Sequence, residues 1–100
     1  MKNERIFTNQ TIRIQSRIRD SNGDLVDPQT IRIELKKPGD ENYTVYSVAT
    51  NPGIIKESTG IYYIDFDLDQ PGRWKYTWFT LGNPQTSFKS FFEVENARYV

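Results

Sequence analysis

Hydrophobic and polar residues alternate one by one along most of this chain. In residues 11–19, for example, Ile12, Ile14 and Ile18 fall on one side of an extended backbone and polar residues fall on the other. A two-residue period is typical of a β-strand with one buried face, and no long stretch shows the 3.6-residue period of a helix. The same alternation, or a short apolar run, recurs in residues 31–36, 43–48, 54–56, 60–68, 73–78 and 88–94. The pattern therefore predicts about seven strands.

Residues that favour turns separate the predicted strands. Asn22-Gly23 is a strong hairpin signal because both residues tolerate a positive φ. Pro71-Gly72 and Gly82-Asn83-Pro84 interrupt the chain again. Short strands divided by turns at intervals of about 8–12 residues are typical of a β-sandwich or barrel. We expect one all-β domain over residues 10–95, an edge strand or arm over residues 1–9 and a short tail over residues 96–100.

Large aromatic side chains are expected to fill the core, because 14% of the residues are aromatic while only 36% are hydrophobic. Each aromatic side chain can bury roughly 150–250 Å². Trp74, Tyr76 and Trp78 alternate with polar residues, and Phe66 lies on the apolar side of residues 60–68. We therefore predict that these four aromatic residues belong to the core.

The composition argues against several classes of function. The 13 basic and 13 acidic residues balance, whereas nucleic-acid binding needs concentrated positive charge. The sequence has no histidine and no cysteine, so the commonest general base and the Cys/His zinc sites are both missing. We expect a protein that is not an enzyme, with no cofactor, no metal and no nucleic-acid partner.

The chain also lacks the long apolar run of a membrane span or a signal peptide. Met1 precedes the polar segment 2–5, and no cysteine is available for the disulfides that are common in small secreted domains. These features favour folding in a reducing cytosol and predict no membrane partner.

Two acidic segments are candidate cation sites. Asp65, Asp67 and Asp69 share one side of a predicted strand, but alternate residues on a strand lie about 7 Å apart, so one ion would need ligands from a neighbouring loop. A solvated outer face is the favoured interpretation. Residues 20–24 resemble the start of a calcium-binding loop but lack its later ligands, which favours a hairpin turn.

Two sets of outward-facing residues are candidate interfaces. Ile61, Tyr63, Phe79 and Phe91 could form an apolar patch across strands of one sheet, and such patches mark binding partners. The alternative is that they pack beneath the N-terminal arm. A second candidate is a basic stripe, with cross-strand ion pairs on a solvated face as its alternative. Its residues are Arg13, Arg17, Arg19 and Arg32.

The segment from Gly60 to Trp78 carries a family resemblance. Within it, Asp69-x-Pro-Gly-x-Trp-x-Tyr resembles the Asp-x-Gly-x-Tyr-x-Cys pattern of immunoglobulin-like domains, in which an aromatic residue ties a strand to the chain just upstream. Trp74 stands in the place of that aromatic residue and Tyr76 in the place of the cysteine. The resemblance implies an immunoglobulin-like antiparallel β-sandwich.

Further motifs, spread over most of the chain, resemble a family of small immunoglobulin-like modules in the virion proteins of tailed bacteriophages. The matching segments run from Asp20 to Pro28, Ile31 to Leu35, Pro38 to Asp40, Ser58 to Tyr62, Pro71 to Tyr76 and Phe92 to Val94. This resemblance implies a structural module of a capsid decoration, neck or tail accessory protein. Its partners would be other virion subunits and copies of itself, and it would assemble in the bacterial host cytoplasm. The alternative is a carbohydrate-binding or adhesion module, in which Tyr63, Phe79 or Phe91 stack on a host glycan.

Overall fold

A computed structural model describes residues 5–97 of the chain. The first four residues of the predicted arm and the last three of the predicted tail lie outside the described residues. Within residues 5–97 the regular structure is entirely β, which confirms the prediction of an all-β domain, and no helix in this range is long and apolar enough to cross a membrane. The strands are β1 (Ile6–Phe7), β2 (Thr11–Arg17), β3 (Thr30–Lys36), β4 (Thr44–Tyr46), β5 (Ile55–Ser58), β6 (Ile61–Asp67), β7 (Gly72–Leu81) and β8 (Ser87–Glu95).

The eight strands form two sheets. One sheet has five strands in the order β1-β8-β7-β3-β4, and the other has three strands in the order β2-β6-β5. Every pairing is antiparallel except that of β1 with β8, which is parallel. The sequence predicts an antiparallel fold of about seven strands. The structure differs in having an eighth strand, β1, whose pairing with β8 is parallel. The sequence around Ile6 and Phe7 gives no signal for the direction of its pairing.

One hydrophobic core lies between the two sheets. Ile64 and Phe66 enter it from β6, while Ile33, Trp74 and Trp78 enter from β3 and β7, and all five are buried. Tyr46 of β4 packs edge-on against Phe66 across the core, with 5.0 Å between the ring centroids. Tyr76 is partly buried against the same cluster. In β3, β6 and β7 the alternation of the sequence therefore corresponds to alternating burial of the side chains.

The N-terminal segment is held to both sheets. The Thr8 amide donates to the Glu95 carbonyl at 2.9 Å, and the Ala97 amide donates to the Thr8 hydroxyl at 2.8 Å. The next residue, Asn9, donates its amide to the carbonyl of Leu68, directly after β6, at 2.8 Å. These bonds fix β1 beside the C-terminal end of β8, and no other strand within residues 5–97 lies along the rest of that side of β8.

Candidate binding surface at the free edge of β8

The predicted apolar patch is wrong, because its four residues lie on different sheets. Ile61 and Tyr63 belong to β6, which pairs with β2 and β5. Phe79 and Phe91 belong to β7 and β8, which pair with each other in the larger sheet. The alternation correctly places all four on outward faces, but it carries no information on which strands are neighbours.

The predicted basic stripe is also divided between the two sheets. Arg13 and Arg17 lie on β2, whereas Arg32 lies on β3 of the other sheet. Arg13 is engaged with a cross-strand neighbour: its Nε and Nη2 donate to the two carboxylate oxygens of Asp65 at 2.9 and 3.1 Å. Its guanidinium also lies 3.8 Å from the centroid of the Tyr63 ring. Arg13 therefore takes part in a local ion pair and covers one face of Tyr63.

The three acidic residues Asp65, Asp67 and Asp69, at the end of β6 and just after it, each have a different partner. The hydrogen bond from Arg13 lowers the pKa of Asp65, Asp67 accepts a hydrogen bond from the Thr11 hydroxyl at 2.8 Å, and Asp69 pairs with Lys37 at 3.2 Å. Within residues 5–97, no group of three acidic, histidine or cysteine side chains is arranged to hold a metal ion. Each carboxylate thus has its own polar neighbour on the outer surface.

Residues 20–24 form a turn stabilised by one side chain. A carboxylate oxygen of Asp20 accepts the amides of Asn22 and Asp24 at 2.9 and 3.1 Å, and Gly23 has a φ of +87°. These bonds are those of an Asx turn. Asp20 therefore points its carboxylate at its own backbone.

Among the described strands, β8 has a long side that carries no neighbouring strand. Along one side it pairs with β7 from Ser87 to Val94, but on the other side β1 covers only Val94 and Glu95. We refer to the uncovered side of residues 87–93 as the free β8 edge. Unpaired main-chain groups along such an edge are a template for pairing with another strand.

The other edges of the two sheets are shorter or more polar. β4 has three residues, and β5 has four exposed residues with an irregular register between Lys56 and Ser58. β2 is seven residues long but presents Arg13 and Arg17 on its outer face. These are the devices by which β-proteins discourage edge pairing.

The free β8 edge instead carries two exposed aromatic side chains. Phe88 and Phe91 are 61% and 52% exposed and lie on opposite faces of the strand. Phe88 shares the core-facing side with its cross-strand partner Trp78. It is exposed although Phe92 and Val94, further along the same face of β8, pack against the core. The alternation assigns Phe88 to the inward face but cannot show whether an opposing strand covers that face.

A groove runs between β2 and β8 beside Phe88. Its volume is about 430 Å³, and its walls include Ile18, Trp78 and Phe88. Trp78 is 2% exposed, and its indole nitrogen has no hydrogen-bond partner among the described residues. A buried donor without an acceptor is uncommon in folded proteins. The groove therefore combines apolar walls with an unused donor on one of the residues that line it.

A second concavity lies on the outer face of the five-stranded sheet. It has a volume of about 430 Å³, and its walls include Tyr43, Lys75, Lys89 and Phe91. Arg73 stands over the Phe91 ring at 4.2 Å and pairs with Glu93. This surface is basic although the whole chain is neutral, because the cross-strand pairing of β7 and β8 brings these side chains together.

No protein-family model, no curated protein and no solved structure matches this chain.

Proposed function

We propose that this chain is a non-enzymatic interaction module of a tailed-bacteriophage virion, with the topology of an immunoglobulin-like β-sandwich. It serves as a head decoration, neck or tail accessory protein, assembles in the bacterial host cytoplasm and binds other virion subunits. The observation that carries this proposal is the free β8 edge, with Phe88 exposed on one face and Phe91 on the other.

The turn before β7 supports the immunoglobulin-like assignment. Trp74 is fully buried, and its indole nitrogen donates to the Gln70 carbonyl at 3.1 Å. In immunoglobulin-like domains a tyrosine hydroxyl makes the corresponding bond to the chain a few residues upstream. Stacking of Trp74 on Phe92, with the ring centroids 5.8 Å apart, anchors the same turn to β8. The indole thus provides both a donor and a large apolar surface at the corner.

The chemistry of the edge supports a protein partner. An added strand satisfies the main-chain donors and acceptors, while aromatic side chains on the two faces supply buried area and specificity. Virions repeat their subunits in symmetric arrays, so even a modest edge contact is multiplied over many copies. The free β8 edge is therefore the surface through which we expect the module to join its neighbours.

The test is quantitative mass spectrometry of purified phage particles from cells that produce the chain. We expect the chain to co-purify with particles in a fixed ratio to the capsid or tail subunits. The Phe88→Lys variant should lose incorporation, while Val45→Lys, a matched change at an exposed position on β4, should retain it. Absence of the wild-type chain from particles would contradict the proposal.

Glycan binding is a second candidate, favoured by the basic concavity between Tyr43 and Phe91. Aromatic rings stack on sugars, and Lys75 and Lys89 suit an anionic glycan. Tyr63 is a weaker candidate for stacking, because the Arg13 guanidinium occupies one face of its ring. Glycan-array binding that is lost in Tyr43→Ala and kept in Tyr63→Ala would support this candidate, and an array with no bound glycan would remove it.

A further inference from the structure

We propose that the partner of the free β8 edge is β8 of a second copy of the chain, an inference that rests on the proposed function. The two strands pair antiparallel about a two-fold axis beside Ser90. The contact joins two five-stranded sheets into one continuous sheet and gives the module a symmetric dimer.

Geometry restricts the register of this pairing. In a continuous antiparallel sheet, residues directly opposite each other point to the same face. A two-fold axis perpendicular to the sheet keeps each residue on its own face, so two residues that lie opposite each other must both be even-numbered or both be odd-numbered. The axis therefore passes beside a residue and not between two residues. The free β8 edge spans residues 87–93, and Ser90 is its central residue. Only a pairing centred on Ser90 uses the whole free edge in both copies.

The two ends of the free edge fit this register. At one end Ile6 already occupies the position beside Val94, and Arg5, which ion-pairs with Glu95, directly precedes it, so an added strand must end before Val94. At the other end the chain turns back at Thr86, whose amide and carbonyl are bonded to the Thr80 hydroxyl and amide. A register centred on Phe91 would place Phe88 of the second copy beside Val94, where it would meet Ile6.

The side chains are complementary in the same register. On the groove side, Phe88 lies opposite Phe92 of the second copy, so the most exposed ring of the edge gains an aromatic neighbour. On the outer face, Lys89 lies opposite Phe91 of the second copy; Arg73 of that copy covers one face of the Phe91 ring, so a cation–π contact from Lys89 uses the other face. Each contact occurs twice because of the two-fold axis. No like charges lie directly opposite each other, and the two Lys89 side chains are diagonal neighbours on the outer face.

Residues 1–4 are an alternative occupant of this edge, because they precede β1, which runs parallel to β8. Their sequence, Met-Lys-Asn-Glu, carries two charged side chains and only one apolar side chain. Charged side chains are poor cover for an apolar groove. A second copy instead places its Phe88 beside Phe92 and its Ser90 beside Ser90, and we therefore favour it.

Single cysteines test the register directly, since the chain has no cysteine of its own. We expect Ser90→Cys to form a disulfide-linked dimer readily with oxidised glutathione, because the two side chains face each other across the axis. Ser87→Cys, on the same strand, should link far more slowly, because its counterpart lies about 20 Å away, six residues along the strand. Equal rates for the two variants, or faster linking of Ser87→Cys, would overturn the proposed register.

Sedimentation equilibrium of the reduced wild-type chain tests the dimer itself. We expect a concentration-dependent monomer–dimer equilibrium that weakens by at least about tenfold in Phe88→Lys and is unchanged in Val45→Lys. Near-ultraviolet circular dichroism checks that each variant is folded. A wild-type chain that stays monomeric at every concentration, or a Phe88→Lys dimer as tight as wild type, would overturn the inference.

Two further results separate this inference from the proposed function. A monomeric chain that is nevertheless present in purified particles would assign the free β8 edge to a different virion subunit, which overturns the dimer and leaves the proposed function standing. A dimer that is absent from particles would overturn the proposed function and leave the dimer standing.

Deletion of residues 1–4 tests the alternative occupant. We expect the deletion to leave dimerisation unchanged. Dimerisation that appears only after the deletion would show that those residues occupy the edge and would overturn the inference.

Discussion

Trp74 and Gln70 close the turn that leads into β7, with the indole nitrogen donating to the carbonyl oxygen at 3.1 Å. Trp78, four residues further along the same strand and on the same face, has no acceptor for its indole nitrogen among the described residues. The two tryptophans are nearly equally buried, at 0% and 2% exposure. They differ in that only Trp74 combines packing with a satisfied hydrogen bond.

This difference predicts unequal costs for replacing each tryptophan with phenylalanine. Both changes remove volume from the core, but Trp74→Phe also leaves the Gln70 carbonyl without its donor. Trp78→Phe instead removes an unsatisfied buried N–H, which offsets part of the packing loss. We expect Trp74→Phe to lower the free energy of unfolding by about 1 kcal/mol more than Trp78→Phe. Urea denaturation measures both values, and an equal or larger loss for Trp78→Phe would contradict this assignment.

Asp27 joins the loop after β2 to β5 and β6. Its carboxylate accepts hydrogen bonds from the Lys56 ammonium at 2.7 Å, the Gly60 amide at 2.9 Å and the Tyr62 hydroxyl at 3.0 Å. The Lys56 bond and then the Gly60 bond lower the pKa of Asp27 to about 2. Desolvation of the phenol and the bond to Asp27 raise the pKa of Tyr62 to about 12.

The lowered pKa of Asp27 predicts a specific acid sensitivity. Because the folded pKa lies below the unfolded value, the carboxylate stabilises the fold above about pH 4, and this contribution is lost as the pH falls toward 2. We expect Asp27→Asn to be less stable than wild type at neutral pH and the difference to shrink over that window. Thermal denaturation at a series of pH values measures it, with Asp24→Asn as an exposed control. A difference that stays constant between neutral pH and pH 2 would show that the charge of Asp27 is not involved.

Gly60 and Gly23 offer a matched pair of glycines in turns. Both have a positive φ, +77° and +87°, which disfavours any side chain. A Cβ at Gly60 would also lie 2.9 Å from the Leu25 Cβ and from the Val26 nitrogen, whereas a Cβ at Gly23 would meet nothing within 4 Å. We expect Gly23→Ala to cost about 1 kcal/mol from its backbone conformation alone and Gly60→Ala to cost clearly more. Equal losses in chemical denaturation would mean that the Gly60 turn can relax without cost.

The sequence predicts the strands and the core of this fold well, for a local reason. A two-residue period determines which side of a strand is apolar, and Trp74, Trp78 and Phe66 are buried as that period requires. Whether two strands are neighbours depends on contacts between distant parts of the chain. Alternation therefore places Tyr63 and Phe91 on outer faces without showing that they belong to different sheets.

The sequence identifies Phe91 as a candidate interface residue but not Phe88 or the free β8 edge, for the same physical reason. Phe88 belongs to the core-facing side of β8 by alternation, yet it is 61% exposed, because burial depends on what lies opposite each position and not on alternation. The parallel pairing of β1, which ends the free β8 edge at Val94, likewise leaves no local signal. Asp27 becomes a three-way hydrogen-bond acceptor only through residues about 30 positions away, which no local pattern relates to it.

Amide hydrogen exchange of residues 87–93 at low and high protein concentration tests most directly whether the free β8 edge is a pairing site. An edge strand exposes every second amide to solvent until a partner covers it. We expect protection within residues 87–93 to rise with concentration, while β5, at an edge of the other sheet, keeps its exchange rates. Exchange in residues 87–93 that is the same at every concentration would contradict pairing of this edge with a second copy.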